Sequence, residues 1–198
     1  LGYRKFANLK LDPAEVESVL VPGMAYADAV SAIFDLYGRE QDRALVGDKT
    51  PGYVQFLPLL HELWPRAKFI HLIRDGRDVC LSTLDWARAE RTVGRFETWA
   101  DDPVTTTALW WERLVRLGRD AVNQHSGLEL LEVRYEDLVR NPEVACRSIC
   151  NFLELDFDPA MLSYNEGRVR TGAGLSAKRA WRDITTGLRD WRTPVSYT

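Results

Sequence analysis

No stretch of this 198-residue chain approaches the ~20 consecutive apolar residues that a membrane-spanning helix needs. No signal or transit peptide is visible at its start. Cysteine is scarce. Cys80, Cys146 and Cys150 form no C-x-x-C pair, and their odd number argues against a disulfide framework. A reducing, cytoplasmic location is therefore expected, with a Golgi-type lumen left open. Cys146 and Cys150 stand four apart on an expected helix, where small core residues are favoured over metal ligands. No G-x-x-x-x-G-K-[ST] loop is present, so the signature of a P-loop kinase is missing. Internal repeats and low-complexity tracts are absent too.

Net positive charge is lacking over most of the chain. The net charge is −3, yet residues 168–192 hold seven Lys/Arg against Asp183 and Asp190, a local +5 that leaves −8 for the rest. Such a balance excludes a general nucleic-acid binder, which carries a broad basic face. It leaves open either a compact anion held at one place or a solvated basic tail.

What is present is an ordinary globular composition, 45% hydrophobic and 28% charged. Residues 26–40 place Ala29, Ile33 and Leu36 on one helical face, with Gly38 as a stop. Residues 44–48 predict a short buried strand that breaks into a loop at Asp48–Pro51. Residues 52–65 have helical period, and Pro58 starts a second short helix or kinks the first. The run 67–73 predicts a strand covered on both faces. Helices are expected from Gly76 to about Glu90, over 102–125 and over 141–155, with a third strand at 127–135. The three strands should be parallel neighbours. Alternation of this kind implies right-handed crossovers, a parallel β-sheet flanked by helices and a three-layer α/β fold.

Ligands in such sheets bind beyond the carboxyl ends of the strands. Here those ends read "GDKTP", "IRDGRD" and "VRYED". Arg74 precedes a helix whose N–H groups and dipole attract anions. Its planar fork of donors matches phosphate oxygens, and Ser82 stands eight residues on. Two readings stay open from spacing alone: a phosphate clamp, or an Arg74 that pairs with Asp75 or Asp78 beside a surface serine.

The stretch "DKTPGYVQFLPLLHELWPRAKFIHLIRDGRDVCLS", followed by "LLEVRYEDLVRNPE", resembles the sulfotransferases that use 3′-phosphoadenosine-5′-phosphosulfate (PAPS), particularly bacterial members. The likeness implies the P-loop nucleotide hydrolase-like sulfotransferase fold. It also implies transfer of a sulfuryl group from PAPS to an acceptor hydroxyl or amine, with 3′,5′-ADP as product and no metal. By the same likeness Arg74 and Ser82 hold the 3′-phosphate, Lys49 lies near the transferring group, and Tyr135 borders the adenine. Ser176 and Arg182 come from a late basic loop that closes over the 3′-phosphate. The acceptor would be a small molecule or carbohydrate. Tyr3, Phe6, Phe96 and Trp99 could line its pocket, although packing is the favoured reading for them.

Two departures are plain. A Gly/Ser/Thr-rich phosphosulfate loop is missing from "LGYRKFANLKLD", and Pro51 stands where one branch of the family has a catalytic histidine. The expectation is a single sulfotransferase-like domain over 1–198 that lacks its N-terminal β-loop-α unit, about 30–60 residues. The alternatives are a non-catalytic nucleotide-binding or scaffold relative and a P-loop-type kinase. Asp48 is a candidate stand-in for the base, with local capping favoured. His61, His71 and His125 are assigned no role, and the oligomeric state cannot be read.

Overall fold

The structure is a computed structural model that describes residues 9–88 and 97–163. These fall into two units that meet along the chain at Pro51 and Gly52. In the first unit, α1 (Pro13–Val19) is capped by Asp12, whose side chain accepts from the Ala14 N–H at 2.8 Å. Pro13 opens it, where a missing N–H costs nothing. The second helix, α2 (Tyr26–Glu40), matches the sequence expectation and buries Ile33, Leu36 and Gly38. A methyl on Gly38 would sit 2.8 Å from both the Arg43 carbonyl oxygen and Val46 Cγ2, so the chain returns against α2 at a spacing that only glycine allows.

The strand expected at 44–48 does not form; these residues are irregular. Its apolar run is only three residues, Ala44 to Val46, before Gly47 and Asp48. Val46 spends its side chain on α2, and Leu45 is 56% exposed. Among the described residues no strand neighbour supplies hydrogen bonds, and without them so short a run gains nothing by extending.

The second unit opens within the 3₁₀ turn Pro51–Phe56, of which Gly52 onward belongs to it. It runs through α3 (Leu57–Leu63), β1 (Lys68–Ile73), α4 (Gly76–Arg88), α5 (Pro103–Gln124), β2 (Glu129–Arg134), α6 (Tyr135–Arg140) and α7 (Pro142–Leu153). Proline stands in the first turn of α3, α5 and α7. Asp102 caps α5 by accepting from the Thr105 N–H at 3.0 Å.

Strands β1 and β2 pair in parallel, from Lys68 beside Glu129 to Ile73 beside Arg134. On one face, Phe69 and Leu130 pack with Leu57 of α3, Ala121 of α5, Leu128 and Val54. His71 follows on that face, against Gly118 of α5. On the other face α7 lies against β2, where Val133 is buried. There Lys68 Nζ donates to the Phe152 carbonyl at 2.9 Å and pairs with Glu154, the left-handed residue that ends α7. Helices thus lie on both faces of a parallel sheet, and the α/β class stands.

The two-sided cover expected for residues 67–73 is only half met. Ile70 and Leu72 are 42% and 51% exposed. The reason is local: α7 lies against β2, and Lys68 alone of β1's residues on this face is tied to its end.

Candidate functional site

The sheet register builds the site. Because Ile73 pairs with Arg134, both strands stop at one level, and the next residues, Arg74 and Tyr135, emerge together. The Arg74 Cζ lies 5.1 Å from the centre of the Tyr135 ring, within cation–π range. Asp78, one turn along, is 5% exposed, and its Oδ2 stands 3.9 Å from an Arg74 terminal nitrogen. At that distance the pair is an ion pair without a tight hydrogen bond. Arg74 Nε and Asp78 Oδ1 are buried and have no hydrogen-bond partner. Ser82 is half-buried and lies one turn beyond Asp78 on the same stripe of α4. Arg74 thus leans toward Asp78, as one of the two readings had it, while its Nε keeps no hydrogen-bond partner.

The start of α4 differs from the sequence expectation of an open N-terminus. Asp75 caps the helix with its own carboxylate. Its Oδ1 accepts from the Arg77 N–H and from Arg77 Nε, both at 2.9 Å, and its Oδ2 accepts from the terminal nitrogen at 2.6 Å. The Arg77 hydrogen bonds hold the Asp75 carboxyl down at about 2. A fixed carboxylate thus already occupies the positive end of the helix dipole. The free N–H groups of this helix start are thus partly spent on Asp75, and the unused donor beside them is on the Arg74 side chain.

The Arg74–Asp75 peptide is gripped by two side chains. Trp111 Nε1 of α5 donates to the Arg74 carbonyl at 2.9 Å, and the Asp75 N–H donates to Glu136 Oε1 of α6 at 2.8 Å. The indole also lies so near Gly76 that a methyl there would meet its Cδ2 at 2.9 Å. Beside the same loop, a groove of about 600 Å³ is lined by Arg77, Leu109, Trp111, Glu112 and Arg134 among others. His71, farther down β1, is held below its ordinary 6.5 chiefly by burial. The Arg119 charge adds to that lowering and Glu132 opposes it.

Of the residues singled out from sequence, Arg74, Ser82 and Tyr135 share this unit, and Arg74 meets Tyr135. Lys49 belongs to the other unit and is exposed on the irregular stretch before Pro51. Thr50 Oγ1 donates to its neighbour Asp48 at 3.4 Å, a local turn contact. Ser176 and Arg182 lie outside the described residues, as do Tyr3, Phe6 and Phe96. Trp99 is half-buried in the 3₁₀ turn Glu97–Trp99. Tyr135 opens α6 and does not end β2. Cys80 and Cys150 are buried and Cys146 half-buried, all as free thiols. No group of His, Cys, Asp and Glu suited to a metal ion occurs among the described residues, and no helix among them is long and apolar enough to cross a membrane.

Sequence reasoning missed Trp111 and Glu136, whereas Asp78 had been named as a possible partner of Arg74. One signal was available for Trp111, since a buried indole N–H must find an acceptor.

Comparison with known proteins gives one family. The profile described as "Sulfotransferase family" matches residues 7–159. A Caenorhabditis elegans protein provisionally designated a protein-tyrosine sulfotransferase is 30% identical over 143 residues, covering 71% of this chain and 52% of that protein. Protein-tyrosine sulfotransferase A of the same organism is 27% identical over 148 residues, 74% of this chain and 37% of the relative. The omega-hydroxy-beta-dihydromenaquinone-9 sulfotransferase of Mycobacterium tuberculosis is 32% identical over 115 residues, 56% of this chain and 29% of the relative. This chain thus spans about half the length, or less, of the curated relatives it matches. Among solved structures, the sulfotransferase domain from the curacin biosynthetic pathway superposes with a TM-score of 0.52 at 23% identity, over 71% of this chain and 55% of that one, a likeness of fold.

Proposed function

We propose, for a chain that belongs to the sulfotransferase family, that it transfers a sulfuryl group from PAPS to an acceptor hydroxyl and releases 3′,5′-ADP. The observation that carries the reading is Arg74. It stands at the carboxyl end of a parallel strand, under an aromatic ring, with a buried donor that nothing uses. The donor set suits a phosphate, because a guanidinium offers a fixed fork of N–H groups to its oxygens.

In this reading Arg74 and Ser82 bind the 3′-phosphate, with Ser176 and Arg182 as further contacts, and Tyr135 borders the adenine. Together they hold the donor still from its far end, and fixing one reactant in place lowers the barrier to in-line transfer. Lys49 supplies positive charge to the oxygen that bridges phosphate and sulfuryl group, where charge grows as that bond breaks. The names of the relatives support a hydroxyl acceptor: tyrosine carries a phenol, and the menaquinone derivative is named for its omega-hydroxy group. A cytoplasmic location belongs to the same reading.

Calorimetric titration with 3′,5′-ADP tests the reading. Arg74→Ala should weaken binding by about 1.5–3 kcal/mol, the range for a hydrogen bond to a charged group. Binding of 5′-ADP, which lacks the 3′-phosphate, should hardly change. Equal losses for both nucleotides, or none for either, would overturn the reading. Transfer of radiolabelled sulfuryl groups to tyrosine peptides and to hydroxylated lipids would then separate the acceptor classes.

A further inference from the structure

The Arg74–Asp75 peptide carries more restraint than its neighbours. A peptide unit is planar, and its C=O and N–H point in opposite directions. Only two soft dihedrals, ψ of Arg74 and φ of Asp75, set its orientation. Its carbonyl accepts from Trp111 Nε1 at 2.9 Å and its N–H donates to Glu136 Oε1 at 2.8 Å. The two grips come from different elements, α5 and α6, on opposite ends of one rigid plane. Rotating the plane would break both at once. Trp111 has a second hold, because its ring lies against Gly76, where any side chain would collide with it. Neither bond belongs to the α4 ladder. Val79 N–H bonds the Asp75 carbonyl, and Asp75 caps Arg77, whatever Trp111 and Glu136 do.

We propose that Trp111 and Glu136 are positioning residues that clamp the Arg74–Asp75 peptide from both ends and thereby aim the Arg74 guanidinium at the nucleotide's 3′-phosphate. The inference rests on the reading of Arg74 given above. Arg74 leaves the strand where the chain is free to turn, and its nearest anchor, Asp78, stands 3.9 Å away. That ion pair is too long to fix a side chain's direction by itself. The backbone grip fixes where the side chain leaves the main chain, Tyr135 and Asp78 bound its reach from there, and the Arg74 Nε is spared for a ligand. Glu136 adjoins Tyr135, so one helix start supplies both the ring over Arg74 and the acceptor behind it.

Two measurements on the full chain test the proposal. The first needs no nucleotide. Amide hydrogen exchange at Asp75 should quicken at least about tenfold in Glu136→Ala and in Trp111→Phe, while the amides paired between β1 and β2 stay protected. Unchanged Asp75 exchange overturns the clamp outright. The second is a mutant cycle on 3′,5′-ADP affinity. Each variant should weaken binding roughly 3- to 10-fold, the range of one hydrogen bond, and should lower the preference for 3′,5′-ADP over 5′-ADP. Glu136→Gln, which keeps an acceptor oxygen, should restore affinity to within about twofold. In an Arg74→Ala background the same substitutions should change affinity by less than about twofold, because they act through Arg74. Equal losses in both backgrounds mean a merely structural role and overturn the proposal. A faster Asp75 amide with unaltered affinity, where Arg74→Ala alone weakens binding, overturns it as well. If Arg74→Ala itself has no effect, the 3′-phosphate reading falls and takes this proposal with it, and quickened Asp75 exchange marks that case apart from failure of the clamp.

Discussion

Gly118→Ala is the substitution whose effect the structure specifies most closely. The new methyl would lie 2.6 Å from His71 Nδ1 and 2.8 Å from its Cε1, with Val54 Cγ2 at 3.3 Å. Ordinary contact begins near 3.4 Å, so α5 or the imidazole must retreat by roughly 0.8 Å, the shortfall at the closest atom. Neither moves freely. The helix is held by the Leu57, Ala121 and Leu128 cluster and by Arg119, which grips Glu132 of β2 with two bonds at 2.8 and 3.0 Å. The ring is half-buried against α5 on a strand whose backbone register is fixed. Overpacking of this kind costs about 1–3 kcal/mol, while replacing a helical glycine by alanine returns about 1 kcal/mol. The net expectation is a loss of about 0–2 kcal/mol. The sign should reverse in a His71→Ala background: with the obstacle gone, Gly118→Ala should stabilise by up to about 1 kcal/mol. Urea midpoints for the four proteins of this cycle at pH 7.5 measure both numbers. A Gly118→Ala protein more stable than its parent, with His71 in place, would refute the close approach of helix and strand.

Two further outcomes are expected. Lys49→Met should cut kcat for sulfuryl transfer by about 10²–10³, by analogy with losing one oxyanion donor, and should change 3′,5′-ADP affinity only a few-fold, because the charge it meets grows in the transition state; a near-normal kcat would leave the lysine without a catalytic role. His71 should make stability fall in mild acid. Burial holds its imidazole below 6.5 in the folded chain, so below that pH the unfolded chain takes up a proton that the native state resists, and the loss continues until the native imidazole also titrates. Denaturation midpoints between pH 5 and 8 should show this slope, and His71→Phe should flatten it.

Most of the second unit was legible because its signals are local. Proline in the first turn, a 3.6-residue apolar stripe and a continuous apolar run specify α3, α5, α7 and β1 without reference to the rest of the chain. The strand expected at 44–48 failed for the complementary reason. A strand is completed by a neighbour, and three apolar residues can be satisfied by a helix instead, as Val46 is by α2. Exposure of Ile70 and Leu72 was likewise hidden, since an apolar run reports that a face can be covered and says nothing about where the covering helix lies.

At the site the same division recurs and has a consequence for function. Arg74 and Tyr135 could be brought together from sequence because each follows directly on an apolar strand and parallel strands in register end together. The grips on the Arg74–Asp75 peptide join residues 37 and 61 positions apart, and no spacing rule reaches that far. Nor does a motif disclose that Asp75 seals the helix start with its own carboxylate. A phosphate approaching α4 therefore meets a negative charge at the cap and a positive one beside it. In the proposed reading, discrimination would come from where the guanidinium points, since net charge at the helix start is already balanced. A site of that kind depends on backbone geometry more than on the count of its charges. Under the proposal that Trp111 and Glu136 aim Arg74, the selectivity for a 3′-phosphate would be set by an indole and a carboxylate that never need to touch the nucleotide.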